Sequence, residues 1–169
     1  MPRQSKYNKE EKDNVKSYQY KAAIYIRLSV EDGDKEESNS ITNQRMLLNQ
    51  FLKDNSDIEV YDYYTDDGFS GTTFNRPGFE KLLEDLYEKK FNTVIVKDLS
   101  RLGRNYIEVG NYIEKVFPLY NIRFIAVNDQ IDSIKNPESV NSIIVPFKNL
   151  INDEHCRDIS NKIKAVLNV

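Results

Sequence analysis

Between residues 22 and 137 the chain alternates two hydrophobic periods, and few folds accept that alternation. Ala22 to Leu28 is an apolar run with β-branched and aromatic side chains, the pattern of a strand. Ser40 to Asn55 reads as a helix with Ile41, Leu48, Phe51 and Leu52 on one side, and Ile58 to Thr65 as the next strand. Phe79, Leu82, Leu83, Leu86 and Tyr87 recur at helical spacing, with Pro77 and Gly78 at the start, where proline sacrifices no intrahelical hydrogen bond. Thr93 to Lys97 is a short strand, Asn105 to Phe117 a helix that Pro118 stops, and Ile122 to Val127 a fourth strand. Strands alternating with helices of this length imply βαβ units with right-handed crossovers. The expected fold class is α/β: a mainly parallel sheet of four to five strands flanked by helices.

Two flanking segments depart from that pattern. Residues 1–21 hold Arg3 and five lysines against Glu10, Glu11 and Asp13, with little that is apolar, and read as a disordered basic arm. After Pro137 an amphipathic stretch runs through Val140, Ile143, Ile144, Phe147, Leu150 and Ile151 to Ile159, Ile163, Val166 and Leu167. A helix of that length outruns a sheet whose strands span about 17–20 Å. The segment 138–169 is therefore expected to be a long C-terminal oligomerisation helix, following a catalytic core over 22–137.

In a parallel sheet the loops after the strands emerge at one edge, where ligands bind. Alternation along the first strand places Tyr25, Arg27 and Ser29 on one face and Ile24, Ile26 and Leu28 on the other. The third strand runs into Lys97-Asp98-Leu99-Ser100-Arg101-Leu102-Gly103-Arg104. With Ser100 as N-cap, Arg101 and Arg104 would share one helical face and form an anion site at a helix start. Gln44 and Arg45 lie one turn into the helix from Ser40, within reach of the same edge. A serine facing several arginines suits attack on a phosphodiester, because guanidiniums stabilise charge developing on phosphorus.

Other chemistries lack their residues. One cysteine, Cys156, excludes an internal disulfide, and with one histidine, His155, it excludes a Cys/His structural zinc site. The chain has no Gly-x4-Gly-Lys-Ser/Thr loop for a nucleotide, no long apolar run for a membrane and no signal peptide at Met1, so a soluble intracellular protein without cofactor is expected. Two alternatives stay open. Asp66, Asp67 and Asp98 around Lys97 could serve a metal-dependent nuclease, and the whole chain could be a non-enzymatic α/β module that dimerises through its last helix.

The motifs carry a resemblance. Tyr25-Ile26-Arg27-Leu28-Ser29 with Ser40-Ile41-x-x-Gln44 resembles the opening signature of the serine recombinases, the resolvase/invertase catalytic domain. Tyr64-Thr65-Asp66-Asp67-Gly68-Phe69-Ser70-Gly71 with Asn75-Arg76-Pro77-Gly78 is similar to the second block, and Val96 to Arg104 to the third. The blocks stand in order over about residues 20–165, and their wording is most like the large serine recombinases of mobile elements.

The resemblance implies that Ser29 attacks the scissile phosphate, forming a 5′-phosphoserine link and leaving a 3′-hydroxyl. Arg27, Arg101 and Arg104 would bind that phosphate, and Tyr25, Gln44, Asp66 and Arg76 would line or support the site. It implies two recombination sites on DNA as partner, a homodimer or homotetramer through 138–169, no ATP, no catalytic metal, and a bacterial cytoplasm. Two positions depart from the pattern. Ser100 stands where small resolvases usually carry aspartate, so Asp98 is the candidate orienting carboxylate, and the acidic position of the long helix falls near Glu154. His155 and Cys156 receive no role. With a net charge of −3, the chain is expected to be an excised catalytic domain that grips DNA weakly by itself, duplex recognition lying in segments beyond Val169.

Overall fold

A computed structural model describes residues 19–28, 41–142 and 145. Strands β1 (Tyr20–Leu28), β2 (Ile58–Asp67), β3 (Thr93–Val96), β4 (Arg123–Ala126) and β5 (Ile131–Asp132) form one sheet in the order β2-β1-β3-β4-β5. The first four are parallel, and β5 pairs antiparallel with β4. The α/β expectation therefore holds, with a fifth strand of two residues that is too short to leave a periodic pattern. Tyr20 and Lys21, expected in the arm 1–21, already belong to β1. Residues 1–18 of that arm lie outside the described residues. So does most of the expected long helix, of which 137–142 and 145 are helical.

Helix α1 (Ile41–Asp54) covers one face of the sheet, where Ala22, Ile24, Ile26, Leu48, Ile95 and Ile125 form a buried cluster. The opposite face is covered by α2 (Pro77–Tyr87) and by a helical run after β3, over a larger cluster that includes Tyr25, Phe79, Leu82, Leu86, Val94, Phe117 and Phe124. Two covered faces explain why β1, β3 and β4 are buried along nearly their whole length. From β1 the chain goes outward to β2 and then returns past β1 to β3. Equal handedness of both crossovers requires their helices on opposite faces, as found. The order thus reverses between β1 and β3, and the C-terminal ends of these strands are where sheets of this kind place a ligand crevice.

Two local features differ from the sequence reading. In β2 one residue is extra: Ala22 pairs with Val60 but Ala23 with Asp62. Val60 and Tyr63 consequently pack on the same face although they are three apart, and everything after the bulge is re-aimed. Asp66 thereby arrives opposite Arg27. The second feature is Pro118, which does not stop its helix. Here α4 (Tyr106–Asn111) passes through a π-helical turn, Tyr112–Val116, into α5 (Phe117–Leu119). The wider turn bonds Phe117 N–H to the Tyr112 carbonyl and relieves the crowding a proline ring causes in a regular α-turn.

Candidate active site at the β1/β3 crevice

Arg27, next to last in β1, is fully buried. Its guanidinium donates to three carbonyls: Nη1 to Phe69 at 2.9 Å, Nη2 to Ser100 at 2.7 Å and Nε to Arg101 at 3.3 Å. In return, Arg101 Nη1 donates to the Arg27 carbonyl at 3.2 Å, and Gln44 Nε2, from the first turn of α1, donates to the same oxygen at 3.1 Å. Arg27 and Arg101 therefore clasp each other through backbone oxygens.

The segment presenting Arg101 is a single helical turn, α3 (Leu99–Leu102). Its N-cap is Asp98 and not Ser100: the Asp98 carboxylate accepts from Arg101 N–H at 3.2 Å and lies 3.8 Å from Arg101 Nε. Ser100 sits inside the turn, and its hydroxyl donates to Asp98. Aspartate prevails as cap because an ionised carboxylate accepts more strongly than a hydroxyl beside the positive helix end. The turn ends at Gly103, which is extended and lies so near Phe74 that a Cβ would stand 2.6 Å from the ring.

Arg104 is therefore not on a common helical face with Arg101, as the spacing predicted. It is brought in by a second strand-like contact, Arg104 N–H donating to the Gly71 carbonyl at 2.6 Å. A Cβ on Gly71 would stand 2.8 Å from both Arg104 Cγ and Arg27 Nη2, so the two side chains converge over that glycine. The sequence shows Gly71 only as a loop residue, and this close approach is invisible there.

Behind this pair lies a second layer. Arg76 is fully buried, donates from Nη2 to the Leu102 carbonyl at 2.7 Å, and packs over the rings of Phe74, Phe79 and Tyr25 at 4.8, 5.2 and 5.5 Å. Asp66 accepts from Tyr25 Oη at 2.8 Å, Gly78 N–H at 2.8 Å and Phe79 N–H at 3.0 Å. The Asp66 carboxylate thus caps α2, whose own N-cap residue, Arg76, offers no side-chain bond. Those three donors take three of the roughly four lone-pair sites of the carboxylate. Among the described residues no group of three His, Cys, Asp or Glu side chains is placed to hold a metal ion.

The electrostatics follow from burial and from like charges. Burial lowers the Arg27 pKa from its ordinary value, and Arg76, Arg101 and Arg104 lower it further. Burial raises the Tyr25 phenol, against the lowering effect of Arg76 and with the aid of Asp66, so it stays protonated and donates to that carboxylate. An anion placed at the crevice would relieve the mutual repulsion of the guanidiniums. Tyr25, Arg27, Gln44, Asp66, Arg76, Asp98, Arg101 and Arg104 are thus gathered at one edge. Ser29, directly after Leu28 in sequence, lies outside the described residues, as do Glu154, His155 and Cys156. No helix among the described residues is long and apolar enough to cross a membrane.

Known proteins share the fold that carries these residues. The family model for the resolvase N-terminal domain matches residues 22–168. The N-terminal catalytic domain of TP901-1 integrase is 31% identical, with a TM-score of 0.66 over 79% of this chain and 97% of that one. A resolvase family site-specific recombinase from Streptococcus pneumoniae shares the fold at 23% identity and a TM-score of 0.67, covering 86% of this chain and 97% of that chain. The C-terminal catalytic domain of ISC1926 TnpA, an IS607-like serine recombinase, is 25% identical at a TM-score of 0.52, over 63% of this chain and 68% of that chain.

Proposed function

Since the chain belongs to the resolvase family of serine recombinases, with a catalytic-domain match over residues 22–168, we propose that it cleaves and rejoins DNA through Ser29. The family supports site-specific recombination, DNA as substrate and self-association. In the proposed step Ser29 Oγ attacks the scissile phosphorus, the bond from phosphorus to the 3′-oxygen breaks, and the proton lost by serine is balanced by one gained at the 3′-hydroxyl. The protein is left joined to the 5′-phosphate. Attack by a 3′-hydroxyl of the partner duplex reverses the step, so the phosphodiester count is unchanged and no ATP is consumed. Exchange of half-sites between four subunits, held by the 138–169 segment, would move a mobile element in or out of bacterial DNA.

One observation carries this reading: the reciprocal clasp between Arg27, two residues before Ser29, and Arg101, at the C-terminal ends of β1 and β3. Arg27, Arg101 and Arg104 neutralise the charge that grows on the phosphate, and a donor of this kind is worth about 10²–10³ in rate. Asp98 orients Arg101 where the usual aspartate has become Ser100. Gln44 steadies the Arg27 carbonyl, while Tyr25, Asp66 and Arg76 fix the α2 start and the Gly103 corner behind the site. The test is a search for protein covalently joined to 5′ DNA ends, in EDTA, with the full-length recombinase. Adducts that vanish in Ser29→Ala are expected. Cleavage only with added Mg²⁺, or adducts unchanged by that substitution, would overturn the proposal.

A further inference from the structure

We propose that Asp129, on the turn between β4 and β5, is a positioning residue for the arginine clasp. A four-residue helical turn is too short to stand alone, since nucleation fixes several residues for one hydrogen bond. Something outside α3 must hold it. Asp98 satisfies the Arg101 N–H from within the segment, but the first N–H of the turn, that of Leu99, is met by Asp129 Oδ2 at 2.6 Å, across thirty positions of sequence. This bond ties the start of α3 to the turn that follows the neighbouring strand β4.

The tether is rigid at its other end. Asn128 N–H donates to the Lys97 carbonyl at 2.8 Å, immediately before α3, and Val127 N–H continues the ladder to Val96. Gln130, at a φ of 55°, closes the turn through its N–H to the Val127 carbonyl at 3.2 Å. β5 follows at once, and its Asp132 is locked to Arg123. Asp129 is thus presented by a pinned turn even though its side chain reaches the solvent-facing end of the sheet.

Both halves of the clasp depend on where α3 stands. Arg27 is held by the Ser100 and Arg101 carbonyls of that turn, and Arg101 is carried by it. A shift of α3 therefore displaces two guanidiniums together, whereas loss of either arginine alone displaces one. Misplacement of reacting groups by about 1 Å can cost about 10²-fold. The inference rests on the recombinase reading for its catalytic consequence, but the tether itself does not.

Asp129→Ala and Asp129→Asn separate the possibilities, because asparagine keeps an acceptor oxygen for Leu99 N–H. We expect Asp129→Ala to speed hydrogen exchange of the Leu99 amide about tenfold or more, and to slow formation of the 5′-linked adduct by about 10–100-fold without change in DNA affinity. Asp129→Asn should restore most of both. Unchanged Leu99 exchange in Asp129→Ala, adduct formation at the wild-type rate, or an asparagine variant no better than alanine would each overturn the assignment. Should the unsubstituted protein form no adduct, the recombinase reading fails by itself. The tether is then judged by the guanidinium N–H resonances of Arg27 and Arg101: displacement of both in Asp129→Ala sustains it, and unmoved signals refute it.

Discussion

Two fully buried arginines stand at opposite edges of the same sheet, and they are held in opposite ways. Arg123, the first residue of β4, donates from Nε and Nη2 to Asp132 at 3.0 and 2.6 Å, lies 3.8 Å from Asp57 through Nη1, and stacks 4.3 Å from the Tyr20 ring. Burial alone would lower its pKa, but the bond to Asp132 reverses the shift and raises it. Arg27, near the end of β1, has only neutral carbonyls for partners among the described residues, and its pKa is lowered by burial and then by three neighbouring arginines. Burial is equal at the two sites, so the counter-charge is the difference. Arg123 spends its charge in fastening the starts of β1, β2 and β4 to β5. Arg27 is fixed just as firmly, but by neutral oxygens, with no carboxylate partner among the described residues.

The widest gap between the two sites should appear on substituting each arginine. Arg27→Gln is expected to slow 5′-adduct formation by about 10²–10³, whereas Arg123→Met should leave the rate per folded molecule unchanged while lowering the thermal midpoint. Equal losses of rate in both would erase the distinction. Next in size is Asp132→Ala, which strands a buried cation and should destabilise the domain by about 3 kcal/mol, read by urea unfolding.

The same pair fixes a pH dependence. Burial would raise the Asp132 carboxyl, but Arg123 and the Lys135 and Ile134 N–H groups outweigh it and hold it below the usual carboxylate range. Its contribution to stability is complete above the unfolded value of about 3.9 and is lost as the pH falls through the lowered folded value. Asp132→Asn should therefore flatten the acid limb of a stability profile below about pH 4.

Smaller effects sharpen the upper site. A methyl at Gly71 would press on both Arg27 and Arg104, so Gly71→Ala is expected to cost about tenfold or more in adduct formation with little loss of thermal stability. Tyr25→Phe removes one hydrogen bond to Asp66, which retains two N–H donors. About 1 kcal/mol of stability should go, and a small loss of rate with it.

How much of this was legible in the sequence depended on whether local chemistry or tertiary approach decided the outcome. The Tyr25 and Arg27 face of β1, the stripe of α2 through Phe79, Leu82 and Leu86 with Pro77 at its start, and the inward Gln44 follow from period and position and hold. Tyr87 at the end of that stripe is exposed, however, and Arg45 lies exposed over the Tyr63 ring instead of at the site. The choice between Asp98 and Ser100 as cap was open locally, since both are good N-cap types, and the stronger acceptor prevailed. Three features had no local signal. Val60-Tyr61-Asp62-Tyr63-Tyr64 reads as an uninterrupted strand, yet its bulge determines which face Asp66 occupies. Arg104 reaches the site through Gly71, not through helical spacing from Arg101. β5 has only two residues, too few to leave a periodic pattern.

The central claim is that Arg27 keeps its charge for an anion while Arg123 does not. Guanidinium N–H resonances of this chain, followed by NMR as inorganic phosphate is added, test it most directly. The Arg27 signal should move in a saturable way, and the Arg123 signal should stay in place. A stationary Arg27, or an Arg123 that moves with it, would contradict the account.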